Sequence, residues 1–94
     1  MMSVDQRPHD VRFGLLADLC YRLGERQRCT SMLVHPKAGE SVLWVPGAAW
    51  PRRWLGVAAV DYRGRWLYTF GGQWCAAGDV AETAARVAWT AGVR

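Results

Sequence analysis

Three cysteines (Cys20, Cys29, Cys75), two histidines (His9, His35) and one closely spaced carboxylate pair (Asp79, Glu82) are the side chains of this 94-residue chain that could do covalent or acid–base chemistry. Cys75 stands ahead of an expected helix start, where the helix N-terminus favours the thiolate and hence a nucleophile. A Cys–His pair needs an imidazole beside the sulfur. His35 falls by the first turn instead, at the other end of the expected sheet from Cys75. Cys75 therefore reads as a small core hydrophobe. The cysteines and histidines lack metal-ligand spacing, and CxxC does not occur, so no metal is expected. Asp79 and Glu82 have the spacing of a helix capping box, which accounts for both. Gly71-Gly72 lacks the lysine and the spacing of a phosphate loop. The expectation is no catalytic set and no cofactor.

Contact chemistry is better represented. Five of the six tryptophans, Trp44, Trp50, Trp54, Trp66 and Trp74, fall in one short stretch. Tryptophan is large and apolar with a single donor, and so short a chain has little interior for so many rings. Some of them should mark a binding surface or a subunit interface. Trp50, Arg52, Arg53 and Trp54 share one connection, and Gln73 and Trp74 fall at the same end of the expected sheet. Aromatic rings beside arginine are the residue types enriched at interface hot spots, and arginine stacks on tryptophan. These six residues are the expected partner-binding set. The same pairing could stack bases and neutralise phosphates.

Composition narrows the classes. Ninety-four residues make one domain with one core, here 1–94 with residues 1–9 as a flexible arm. A hydrophobic fraction of 51% with 21% charged residues excludes a disordered chain. Net charge is +4, carried by eleven arginines and a single lysine, Lys37, and there are thirteen alanines. That bias matches GC-rich coding, and the basic residues are interspersed with acidic ones, unlike a dedicated nucleic-acid surface. The positive balance would attract an acidic partner. An odd number of cysteines suits reduced thiols in a cytoplasm. The segment 1–13 is polar and charged, which does not read as a signal peptide, and no apolar run approaches the roughly 20 residues of a membrane span. A cytoplasmic location without membrane contact is expected.

The elements that must position these residues follow from periodicity. Leu15, Leu16, Leu19, Cys20 and Leu23 form one helical stripe, predicting a helix over 10–23 that Gly24 stops. Strands are expected at 28–35, 41–45, 54–61 and 65–70. Pro36 to Gly39 form the first turn, 46–53 a long connection, and Gly71-Gly72-Gln73 the end of the last strand. A final helix spans 80–91, capped by Asp79 with Glu82 and closed by Gly92. The expected fold is α+β, a four-stranded antiparallel meander with an N-terminal and a C-terminal helix (α-β-β-β-β-α).

One turn sets the faces. Asp61-Tyr62-Arg63-Gly64 suits a three-residue loop with Gly64 at the left-handed position of a bulge, which places Asp61 opposite Arg65. Val60, Ala58 and Gly56 would then oppose Trp66, Tyr68 and Phe70 on one side, and Leu55, Val57, Ala59 and Leu67 would share the other. With both helices on the aromatic side, Leu55, Val57, Ala59 and Leu67 become the expected sheet-face interface, covered by a second copy or another protein, the alternative being that the 46–53 connection and the N-terminal arm fold over it.

The helix-then-four-strand plan, the strand Arg65-Trp66-Leu67-Tyr68-Thr69-Phe70 and the alanine-rich final helix resemble a group of small α+β proteins of GC-rich bacteria, some encoded beside transcriptional regulators. The resemblance implies an accessory or regulatory role and carries over no functional residues. The expected function is a non-enzymatic protein-interaction or regulatory module, homodimeric or in a heterocomplex, acting through a sheet face and a Trp/Arg-rich end. The alternatives are a nucleic-acid binder using Arg/Trp stacking, and a small-ligand sensor or enzyme with an aromatic pocket near Trp74 and Gln73.

Overall fold

The computed structural model describes residues 7–36, 39–47 and 53–92. The first helix, α1 (Pro8–Arg26), opens on a proline in its first turn, where the missing N–H leaves nothing unsatisfied. It therefore begins within the stretch expected to be an arm. Leu16, Leu19 and Leu23 are fully buried, as the stripe requires. Gly24 does not stop the helix. A side chain there would meet nothing, so the glycine rides exposed at the modest cost of helical glycine. The stop comes at Arg28, whose φ of 50° is left-handed, with the Cys29 N–H returning to the Leu23 carbonyl at 2.9 Å.

Five strands follow: β1 (Met32–Val34), β2 (Val42–Pro46), β3 (Trp54–Tyr62), β4 (Arg65–Phe70) and β5 (Gln73–Ala76). They form one antiparallel sheet in sequence order. The α+β class and the meander are as the sequence indicates, but the sheet has five strands rather than four. The difference lies at Gly71 and Gly72. Both take positive φ, 52° and 77°, and make a two-residue hairpin turn whose twist suits the flanking strands. Gln73 thus starts β5 instead of ending β4.

Helix α2 (Val80–Ala91) closes the chain. Gly92 holds φ 89° and donates its N–H to the Ala88 and Trp89 carbonyls, as a C-terminal glycine should. Asp79 makes no side-chain cap. The Thr83 hydroxyl donates to the Asp79 carbonyl at 2.9 Å, so the capping box does not form.

Both helices lie on one side of the sheet and contact each other. Between them and the strands sits one core, in which Leu16, Leu19 and Leu23 meet Leu43, Val45, Val57, Tyr68, Phe70 and Val87. Tyr68 ties the layers together, its hydroxyl donating to the Leu15 carbonyl at 2.8 Å. Burial, with a smaller contribution from the Asp18 charge, pushes its phenol up to about 12. Arg12 makes a second tie, donating from Nε to the Ala59 carbonyl at 2.9 Å, with its guanidinium over the Trp66 ring and Glu40 at 3.8 Å. It reaches Ala59 where β2, whose last partner in β3 is Val57, has stopped pairing.

The β3–β4 register differs from the sequence expectation by one residue. Tyr62 pairs Arg65, Val60 pairs Leu67, and Ala59 pairs Tyr68. The loop is Arg63-Gly64 alone, both at positive φ (53° and 81°), and the Asp61 carboxylate accepts the Gly64 N–H at 3.0 Å. A one-residue slip exchanges every side chain of a strand between faces. Val57 and Ala59 are consequently fully buried beneath the helices, and Leu55 packs against the same core. Those three are corrections to the expected sheet-face interface, and Leu67 alone of the four points away from the helices.

Candidate interaction face

The side of the sheet away from the helices carries no helix among the described residues. Alternation along each strand places Met32 and Val34, then Val42 and Trp44, then Trp54, Gly56, Ala58, Val60 and Tyr62, then Arg65, Leu67 and Thr69, and finally Trp74 and Ala76 on it. Trp54, Tyr62 and Trp74 are 54%, 56% and 62% exposed. None of these outward positions holds a carboxylate. An apolar surface of this extent is seldom left bare in a monomer.

The face has relief. The Trp44 ring lies against its register partner Gly56, so closely that a Cβ on Gly56 would meet it at 3.0 Å. That close approach is why glycine occupies the middle of a strand. Further along, Val60, Leu67 and Thr69 floor a concavity of about 620 Å³ walled by Tyr62 and Trp74, with Arg65 at its rim. It is a trough between neighbouring strands. Arg63 sits at the same end with its guanidinium 5.3 Å from the Tyr62 ring centre, a cation–π contact.

The expected partner-binding residues divide between faces. Trp54 and Trp74 point outward with the apolar face. Arg53 is exposed beside Trp54, its carbonyl accepting the Gly47 N–H at 2.8 Å. Gln73 turns the other way and donates to the Thr90 hydroxyl of α2 at 3.0 Å. Trp50 and Arg52 lie outside the described residues, as does Lys37. Trp66, by contrast, faces the core side beneath Arg12. Sequence reasoning missed Met32, Val34, Trp44, Val60 and Tyr62 as members of the open face. The signal was the alternation Leu43-Trp44-Val45, which sets Trp44 opposite to two core residues.

Cys75 is buried, and the Arg86 Nη1 lies 3.6 Å from its sulfur. Burial alone raises the Cys29 thiol above its usual range. His35 shares a 2.6 Å hydrogen bond with the buried Ser41 hydroxyl and packs edge-on against Phe13. Among the described residues no group of three His, Cys, Asp or Glu could hold a metal ion, and no helix is long and apolar enough to cross a membrane. Comparison with protein-family models, curated proteins and solved structures finds no match to this chain.

Proposed function

We propose that this chain is a non-enzymatic interaction module that binds a protein through the open face of its sheet, in an accessory or regulatory role. One observation carries the reading: all five strands contribute outward apolar side chains to a face that, among the described residues, has no carboxylate and no helix of its own. The face has the traits of interface hot spots, large aromatics with arginine at the margin. A nucleic-acid reading draws on Arg63 over Tyr62 and on Arg65 beside the trough. It is second, because Val60, Leu67, Met32 and Val34 offer neither a stacking plane nor a charge, and phosphate binding relies on several cationic contacts. The trough falls within the volume range of small-ligand sites, but it lies open along one side of the sheet, and none of its lining residues is a carboxylate, histidine or cysteine.

The test is affinity capture from the native host with the wild-type chain and the Leu67→Glu variant as baits, followed by reconstitution with purified components. The reading expects a protein that binds the wild-type chain at fixed stoichiometry and is lost with Leu67→Glu. Identical captured sets from the two baits would defeat it.

A further inference from the structure

We infer that the occupant of the open face is a second copy of this chain, docked sheet to sheet about a two-fold axis that runs across the strands above Ala58. This rests on the interaction-face reading and commits it to one partner and one orientation.

Three observations support self-docking. The first is area. Met32, Val34, Trp44, Trp54, Tyr62 and Trp74 are each more than a third exposed, and together present on the order of 700 Å², taking ~250 Å² for a fully exposed large aromatic side chain. With their half-buried neighbours they reach the roughly 800 Å² per partner of a stable interface. The second is the sheet edges. β1 has three residues and β5 four, too short to template strand addition, as native edges commonly are. A partner must therefore meet the face rather than extend the sheet.

The third is the distribution of charge and rings along β3. Trp54 and Tyr62 are its first and last residues and Ala58 its middle, about 26 Å from end to end at 3.3 Å per residue. Arg63 and Arg65 stand at the Tyr62 end, with no carboxylate among the described residues of the face to meet them. An axis along the strands would set these arginines against their own copies. An axis across the strands reverses the second sheet, so that Arg63 and Arg65 approach Trp54 of the partner subunit, where the ring face attracts a guanidinium, while Arg53, which continues the ladder through its bond to Gly47, falls by alternation on the opposite side from Trp54. Ala58 pairs Thr69, and Thr69 pairs Trp74. That row therefore lies along the axis, and each Trp74 meets its own copy over two small residues. Aligned packing of two twisted sheets about 10 Å apart accommodates this geometry.

The experiment is sedimentation velocity and light scattering on the purified full chain across a concentration series. Self-docking expects a species of twice the 10.5 kDa protomer mass, with Leu67→Glu raising the dimer Kd roughly 100-fold by burying an unpaired charge while circular dichroism and Tm stay native. Ala76→Glu serves the same purpose should Leu67→Glu misfold. Orientation is read from Trp54→Glu against Trp54→Lys. With the axis across the strands, the carboxylate introduced by Trp54→Glu would face arginines, and the ammonium introduced by Trp54→Lys would be repelled by them. The two variants should then differ about tenfold in Kd, by a margin that shrinks with salt. Equal weakening by the two overturns the orientation. A wild-type monomer at about 100 µM, some tenfold above a weak dimer's Kd, overturns the inference. If the Leu67→Glu bait nonetheless loses a captured protein, the interaction reading stands without it, and if the two baits capture alike, both fall. A monomer that shifts a labelled single-stranded oligonucleotide also overturns it and assigns the face to nucleic acid.

Discussion

Val57 and Val60 are three residues apart on one strand, yet replacing each with alanine should have very different costs. Val57 is fully buried in the core, whereas Val60 floors the open trough. Truncating Val57 removes two methyl groups from the interior, about 1.6 kcal/mol at 0.8 kcal/mol per group. The core around it, including its register partner Leu43, closes only partly, and a residual void of ~40 Å³ adds about 1 kcal/mol. Val57→Ala should therefore cost roughly 2.5 kcal/mol and Val60→Ala about 0.5 kcal/mol. Both changes lower strand propensity alike, so the difference reports position. Urea unfolding followed by circular dichroism measures it, done in a Leu67→Glu background so that self-association does not contribute. The midpoint should move by about 1–2 M for Val57→Ala and by little for Val60→Ala. Under the three-residue loop the two sites would exchange faces. A larger loss at Val60 than at Val57 would therefore refute the two-residue turn and the placement of the open face with it.

Tyr68 holds its proton to about pH 12 when folded, against 10.0 when unfolded, so the unfolded chain binds fewer protons in that window and stability falls as pH rises through it, by a few kcal/mol at most. Tyr68→Phe should cost about 1 kcal/mol at neutral pH through the lost bond to Leu15 and should flatten that alkaline fall in a pH series of denaturant melts, and a fall as steep as wild type would show that Tyr68 is not its source. Gly72→Ala should cost about 1 kcal/mol, because φ is 77° and a Cβ there meets nothing, leaving backbone strain as the whole penalty. Gly72→Asn, which tolerates that region better, should cost less in the same thermal melts, and equal costs would argue against the left-handed turn.

The sequence was informative wherever one residue type answers to one local requirement. The Leu16, Leu19 and Leu23 stripe and the glycine that closes α2 were legible on those terms, whereas the apolar run of β3 marked a central strand without showing which of its faces the helices cover. It was misleading where two local solutions are close in energy. Asp61-Tyr62-Arg63-Gly64 fits a three-residue bulged loop and a two-residue turn alike, since arginine at φ 53° is uncommon but tolerated. Gly71-Gly72 serves equally to end a strand or to reverse it. The split of the Trp/Arg end was hidden for another reason. Neighbours in sequence share an end of a sheet, but alternation sends Gln73 to the helices and Trp74 to the open side.

Core volume decides between the two registers of β3, and it was available from composition alone. Turning Leu55, Val57 and Ala59 toward the helices buries eight side-chain carbons, against four for Gly56, Ala58 and Val60. Four carbons at 0.8 kcal/mol each favour the observed register by about 3 kcal/mol, more than the ~1 kcal/mol that an arginine in the left-handed region costs. Pairing each aromatic ring with a small opposite residue is a local criterion, and it loses to filling the space under two helices. The same choice shapes the exposed side. Sending the smallest residues outward leaves β3 low along its middle, with Trp44 lying over Gly56 and Trp74 rising beside Thr69. The register that completes the core thus also forms the trough between the rings, so the packed interior and the relief of the open face depend on a single phase of one strand.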